Sequence, residues 1–240
     1  MSELRPWSVT AVNLADHANN LIHTDAGARA AGFESALVAG TTIYAYMTHP
    51  AAEAWGIDWL TGGGGELRLR RPVFDHDPVD CVISDGVDGP VVTATVAGDA
   101  RATLDLWKQT TPPQLRSGEA LKPYEVVLGD SHSDYGVRCG DDLSIYAELG
   151  IVHPVTWANL ANAVFMDNLV TGPWIHVRSR IHHEGVATIG AALTIDSVLI
   201  DRFDSRAGER ALVDMRLYAD DEPVATIEHE AVIVLPEQQS

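Results

Sequence analysis

The stretch Thr41-Thr42-Ile43-Tyr44-Ala45-Tyr46-Met47-Thr48-His49-Pro50-Ala51-Ala52-Glu53-Ala54-Trp55 carries no carboxylate or fixed positive charge before Glu53. It reads as a helix that is apolar nearly all round in its first turns, and such a helix must be buried. Gly62-Gly63-Gly64-Gly65 then breaks the pattern, and the texture changes to period two in Glu66-Leu67-Arg68-Leu69-Arg70. Residues 79–83, 91–97 and 100–106 follow, each fenced by Gly, Asp or Pro. Four short strands with turn signals between them predict an antiparallel meander. The same order recurs downstream. Residues 154–169 predict a second apolar helix (Val155, Trp157, Leu160, Ala161, Val164, Phe165), and Gly172-Pro173 stops it. Strands are expected over 174–181, 188–200, 210–218 and 223–235. Residue identity between the copies is slight, so the repeat is one of texture and length. A buried helix followed by a meander predicts a sheet wrapped around that helix, and two such halves packed as a pseudo-dimer make an α+β fold. The expected division is 1–111, a linker over 112–123 between Pro112-Pro113 and Lys122-Pro123, and 124–240.

Composition limits the partners. Of 240 residues, 46% are hydrophobic, enough for a core, while 34 acidic against 16 basic side chains leave a net charge of −18. That sign disfavours nucleic acid and anionic membranes. Cys81 and Cys139 are too few for a disulfide framework or a four-thiolate zinc site. No signal-like N-terminus and no apolar run of membrane-spanning length are present, so a soluble cytoplasmic protein is expected, as a homo-oligomer. His182-His183 and Glu228-His229-Glu230 lack the helical spacing of zinc sites, and neither metal nor cofactor is expected. No Gly-x-Ser-x-Gly elbow or plausible cysteine nucleophile occurs.

Candidate chemistry gathers ahead of the first buried helix. Upstream, residues 7–12 alternate like a short strand, and Thr24 or Asp25 suits the N-cap of a short helix over 26–31 that Gly32 would stop. His23 then lies on an irregular loop before Gly40, which opens the buried helix with Thr41. Unpaired N–H groups at a helix start polarise a carbonyl oxygen, and glycine allows close approach. A histidine aimed there can move a proton on a neighbouring carbon.

The run Asn20-x-Ile22-His23-x-Asp25, spaced ahead of Val38-x-Gly40, resembles the hydratase motif of the MaoC-like, (R)-specific enoyl-CoA hydratases of the hotdog fold. The chain as a whole resembles a double-hotdog, acyl-dehydratase-like protein. By that resemblance His23 is the base, Asn20 orients and Gly40 donates to a thioester oxygen. The implied substrate is an acyl-CoA or carrier-bound thioester, and the implied reaction is hydration or dehydration beside its carbonyl. The family's catalytic Asp, five residues before the His, is Ala18 here, and its Pro after the Asn is Leu21. Asp16 is two residues off that place. An acid restored at position 18 is expected either to rebuild the family's dyad with His23 or, where Ala18 makes room for a bulkier substrate or another chemistry, to put an unpaired and costly charge in an apolar site.

Aligning residues 151–155 with 37–41 puts Pro154 where Gly40 stands, and proline has no N–H to give. The second half is therefore expected to lend wall rather than a second site. Thr41, Tyr44, His153 and His176 are the candidate substrate-binding residues; Tyr44 and Tyr46 in the buried helix read first as core aromatics, with either hydroxyl able to replace the missing acid. His176, Arg178, Arg180 and His182 alternate onto one strand face, either solvated or a stripe for an anionic group. The rival readings are a hotdog cyclase, isomerase or dehydratase on a free small molecule, which would not need the missing acid, and a non-catalytic acyl-binding or subunit-partner protein. A thioesterase would want an acid on the buried helix.

Overall fold

The computed structural model describes residues 3–236, so the outermost residues of the two expected halves lie outside it. The first half runs β1 (Trp7–Thr10), two 3-10 turns (Ala15–His17 and Leu21–His23), α1 (Asp25–Ala30) and α2 (Gly40–Gly62). Then come β2 (Gly64–Leu69), β3 (Pro78–Asp85), β4 (Pro90–Val96) and β5 (Asp99–Trp107). The linker region forms β6 (Glu119–Ala120), and β7 (Tyr124–Val127) follows. Three short helices, α3 (Asp130–Ser133), α4 (Tyr135–Cys139) and α5 (Ile145–Leu149), precede α6 (Val155–Asn168). The chain closes with β8 (Ile175–His183), β9 (Ala192–Ser205), β10 (Gly208–Ala219) and β11 (Glu222–Val234).

Among the described residues the strands form a single antiparallel sheet in the order β1-β3-β4-β5-β2-β8-β11-β10-β9-β6, with β7 also on β9. This corrects the simple meander. In each half the first strand after the long helix pairs with the last strand, β2 with β5 and β8 with β11. The reason lies in the segment after β2: the N–H groups of Arg70 and Arg71 both bond Arg101 O on β5, carrying the chain past that strand toward the far edge, where β3 begins. The linker is likewise docked rather than loose, since Arg116 donates to Asp214 and Glu228 on the outer sheet face.

The helix α2 is buried through most of its first three turns, as its composition requires. Pro50 sits inside it, and proline removes the N–H that would bond the carbonyl four residues back. That carbonyl is Tyr46 O, and the Cys81 thiol from β3 donates to it at 3.4 Å. Gly56 ends the regular part of the helix with φ 56° and ψ −141°, a conformation glycine adopts without a Cβ penalty.

The two halves meet where β2 pairs with β8, Leu67 opposite Ser179 and Glu66 opposite Arg180. On the outer face of this seam Glu66, 4% exposed, accepts from Arg68, Arg178 and Arg180, the last at 2.7 Å. Burial alone would raise the Glu66 pKa; the Arg180 hydrogen bond and the three guanidinium charges outweigh it and hold it below the usual value. Next to the seam the register slips by one between Glu230 and Ala231 of β11. Such a bulge reverses which face the following side chain meets. It corrects the expected stripe: Arg178 and Arg180 lie outside among glutamates, His182 bonds Thr110 Oγ1, and His176 turns inward to stack on His229 at 4.3 Å.

Two outcomes follow from this packing. Glu66→Gln should lower the unfolding free energy by about 2 kcal/mol, discounted because its arginines are partly exposed, read as a shifted urea midpoint with an unchanged slope.

Acid should weaken the fold through its buried imidazoles. Burial depresses the pKa of His176 to about 3 and of His183 to about 4, and pushes His229 well down. The unfolded chain takes up these protons near pH 6.5 and the folded chain does not, so stability is intact above that pH and falls below it. Each such group gives a slope of about 1.4 kcal/mol per pH unit until its folded pKa is reached. Urea midpoints should therefore drop steeply between about pH 6.5 and pH 4.5; a flat profile there would contradict the buried-neutral assignment.

Candidate active site

The loop before α1 is built from two successive 3-10 turns, closed by bonds from His17 N to Leu14 O, Asn20 N to His17 O and His23 N to Asn20 O. Side chains three apart eclipse in such turns. His17, Asn20 and His23 therefore share an edge and line one cavity, while Ala15, Ala18 and Leu21 are exposed. Ala18 lines no part of it. This corrects the expectation that an acid at 18 would be buried in an apolar site: the turn period points position 18 to solvent.

The cleft has two adjoining parts, of about 180 and 200 Å³, and Asn20, His23, Asn162 and Trp174 line both. Its walls come from both halves. His17, Asn20, His23 and Gly40 belong to the first, whereas Tyr135, Asn162, Trp174 and His176 belong to the second. Asn20 spans them, donating from Nδ2 to Trp174 O at 2.9 Å and accepting from Trp174 N, so its amide pins the loop. His23 donates from Nδ1 to Leu37 O at 2.8 Å, which leaves Nε2 as the ring's basic atom. Burial holds the His23 pKa below its usual value, partly opposed by that carbonyl.

Residues that spacing alone did not flag enter here. The His17 ring stands 5.6 Å from that of His23, and His17 Nε2 shares a 2.8 Å hydrogen bond with Tyr135 OH, itself 2.7 Å from Thr42 Oγ1. Burial lowers the His17 pKa to about 4, and the neighbouring His23 adds to the effect. Asp16 reaches the same wall, but Arg138 binds it at 2.8 Å and keeps it ionised. The sequence signal for this edge is the three-residue period His17-x-x-Asn20-x-x-His23. Nothing local points to Tyr135 or Trp174, because folding brings them from more than 90 residues away.

Gly40 lies at the start of α2, whose N-cap Ala39 offers no side-chain cap. A Cβ on Gly40 would overlap Leu69 Cδ1 and approach His176 Nδ1 to 3.2 Å, so glycine is needed for packing as well as for access. His176 Nδ1, Trp174 Nε1 and Asn162 Oδ1 are buried without a hydrogen-bond partner among the described residues. Behind the cleft, His176 Nε2 is held by Ser179 Oγ at 2.8 Å, and Ser179 Oγ by His229 Nδ1 at 2.7 Å.

The remaining candidates lie elsewhere. Thr41 is fully buried in the first turn of α2 and lines neither part of the cleft. Tyr44 is buried against His183, 3.4 Å from its Nε2. His153 accepts from Val155 N at 3.0 Å and donates from Nε2 to Asp141, which also accepts from His49 Nδ1. It thus caps α6. Burial would raise the Asp141 pKa, but the hydrogen bonds from His153 and His49 hold the carboxyl well below the usual range.

No family model matches the sequence, and no curated protein matches it at a significant level. Solved structures match over nearly the whole chain. A MaoC-like dehydratase from Phytophthora capsici superposes with TM-score 0.57 at 11% identity, covering 98% of this chain and 97% of that one. A conserved hypothetical protein of Mycobacterium tuberculosis, described as having a double hotdog fold, gives 0.63 at 11%, covering 97% and 96%. An acyl-CoA thioesterase II from Mycobacterium marinum gives 0.53 at 11%, covering 83% and 92%. At such identity the likeness concerns architecture alone. The fold of this chain is the double hotdog.

Proposed function

We propose that the chain catalyses reversible addition or elimination of water beside the carbonyl of an acyl thioester, in the cleft between its halves, with His23 as the proton-transferring base. The observation that carries this reading is the fixed tautomer of His23 beside the uncapped start of α2. Leu37 O takes the Nδ1 proton, so a neutral Nε2 stands ready as base. In the addition direction, water oxygen bonds to the β-carbon as its proton passes to His23 Nε2. The π electrons move toward the carbonyl oxygen, where the N–H of Gly40, which lines the cleft at the start of α2, stabilises the enolate. His23 then returns that proton to the α-carbon. One base closes the cycle, and elimination is the same path reversed.

Asn20 acts by holding the loop against Trp174, and the unpartnered His176 Nδ1 is a substrate contact. His17, kept neutral, orients the water. Tyr44 and His153 are already committed to His183 and to the α6 cap, which leaves them outside the reaction. A specific observation favours the second reading, a cyclase or isomerase on a free small molecule. The side chain beside His23 is a neutral imidazole rather than a carboxylate, and two imidazoles facing one cleft can pass a proton between carbons of one substrate without activating water. Hydrolysis of the thioester has less support, since Glu53 and Asp58, the acids of α2, are exposed and outside the cleft.

A panel of trans-2-enoyl-CoA esters, followed by loss of conjugated absorbance, tests the proposal. Turnover of at least one ester is expected, and His23→Ala should lower it by roughly 10²–10⁴-fold with folding intact. The base must be neutral, and its pKa lies below 6.5. Activity should therefore hold on acidification from pH 7.5 to about 6.5 and fall only below that. A midpoint above 6.5, or undiminished turnover without His23, would remove His23 from the mechanism. Inertness toward the whole panel would favour the free-molecule reading.

Ala18→Asp should be thermally neutral and gain no hydration, because position 18 faces solvent. A gain of crotonyl-CoA hydration in that variant would show that the loop can turn its carboxylate inward.

A further inference from the structure

We infer that His176 is a second donor to the substrate's carbonyl oxygen, its Nδ1–H acting beside the N–H of Gly40. Ser179 and His229 behind it are positioning residues that hold the ring in the donating tautomer. The inference rests on the reading of the His23 cleft as the reacting centre. His176 Nδ1 lies in the wall that His176 shares with Gly40, buried and without a hydrogen-bond partner among the described residues. It stands 3.2 Å from the place a Cβ on Gly40 would take. That place is two bonds from Gly40 N, so the two nitrogens are within about 6 Å of each other. Two hydrogen bonds of about 2.9 Å can meet on one oxygen across that span. As the first residue of α2, Gly40 has no partner for its N–H within the helix.

A count of protons behind the cleft decides what Nδ1 offers. Burial keeps both rings neutral, so each carries a single proton. Ser179 Oγ lies 2.8 Å from His176 Nε2 and 2.7 Å from His229 Nδ1. A hydroxyl has one proton to give, so it donates to one ring and accepts from the other. If it donates to His229, the proton of His176 is spent on Oγ and that of His229 is left on Nε2. If it donates to His176, the proton of His229 is spent on Oγ and that of His176 is left on Nδ1. One of two ends therefore holds a stranded N–H. His229 Nε2 is the enclosed end: the residue has no exposed surface, and its ring packs against Phe165 at 4.9 Å. Buried N–H groups left without an acceptor are rarer in proteins than acceptors left bare. The other end borders the cleft, where a substrate oxygen can accept, and the proton belongs there. A neutral donor so fixed gains most as the oxygen becomes an enolate, which is where catalysis needs it.

Long-range ¹⁵N–¹H NMR spectra of the full chain read the tautomers. Protonated Nδ1 and bare Nε2 are expected for both rings, and protons on Nε2 instead overturn the inference. This measurement needs no variant. Butyryl-CoA and free cyclohexenone, each ¹³C-labelled at the carbonyl, are the probes of contact, followed by infrared difference spectra. The carbonyl stretch of at least one should fall on binding. His176→Phe keeps a ring without the donor and should reverse part of that fall; His176→Asn, with an amide N–H near the lost Nδ1–H, should restore it. A merely structural role would leave the frequency unmoved. No fall with either probe, or a fall unchanged in His176→Phe, overturns the inference. With crotonyl-CoA, His176→Phe should lower kcat by roughly 10²–10³-fold and leave KM within about threefold. Hydration that needs His23 but not His176 overturns the second donor and leaves the hydratase reading in place. A carbonyl shift that depends on His176, in a chain that hydrates no enoyl ester, supports the donor and overturns the hydratase reading instead.

Discussion

One row of antiparallel backbone hydrogen bonds, between Gly64–Leu69 and Ile175–His183, sets the positions of everything else. It converts two half-sheets into one and lays α2 and α6 side by side on the inner face. The cleft exists only because of this pairing. Its first-half residues follow from the turns before α2, while Trp174 directly precedes β8 and His176 is the second residue of that strand. Glu66 locks the seam from outside by gathering three arginines, two of them from β8. Slippage of β2 by one residue would turn Leu67 outward and Glu66 into the core, so the charge cluster and the apolar pattern enforce the same register.

The two halves share a fold but differ at the starts of their long helices, and the difference is electrostatic. At α6 the N-cap is Pro154, and the N–H of Val155, the first helical residue, is bound to His153, whose other nitrogen is bound to Asp141. That end is closed. At α2 no side chain caps the first turn, and glycine stands where any Cβ would press on Leu69 and His176. Partial positive charge at a helix start attracts an anion only where its N–H groups remain free. Proline and an internal cap on one side, glycine and no side-chain cap on the other, make the two helix starts electrostatically unlike.

Much of this was legible in the chain. The doubled order of apolar helix, glycine break and alternating strands predicted the architecture, whereas the alignment of Pro154 with Gly40 is one residue out of step in the structure, where Pro154 is the N-cap of α6 and Ala39 that of α2. Strand order was not legible, because β2 and β3 are neighbours in sequence and only the docking of Arg70 and Arg71 on Arg101 O separates them in space. The segment over residues 124–150 carries no period long enough to announce α3, α4 and α5. His176 was placed on the arginine face by counting in twos, a count that the bulge beside Glu230 upsets. The loop around His23 was read against a motif with an acid five residues upstream. Counting in threes, as its 3-10 turns demand, finds His17 at six and leaves Ala18 on the outside.

That count bears on the electrostatics of the cleft. A chain with net charge −18 raises the proton affinity of an average imidazole, and a carboxylate at position 18 aimed inward would raise it further. Here both influences are kept away from His23. Asp16 is neutralised by Arg138, position 18 holds an alanine on the solvent side, and burial depresses both His23 and His17. The imidazole consequently stays unprotonated through the physiological range, and its hydrogen bond to Leu37 O fixes which nitrogen is basic. A carboxylate partner would have strengthened the base at the risk of protonating it in the resting state. Burial beside a second neutral ring gives up some basicity and keeps the lone pair free.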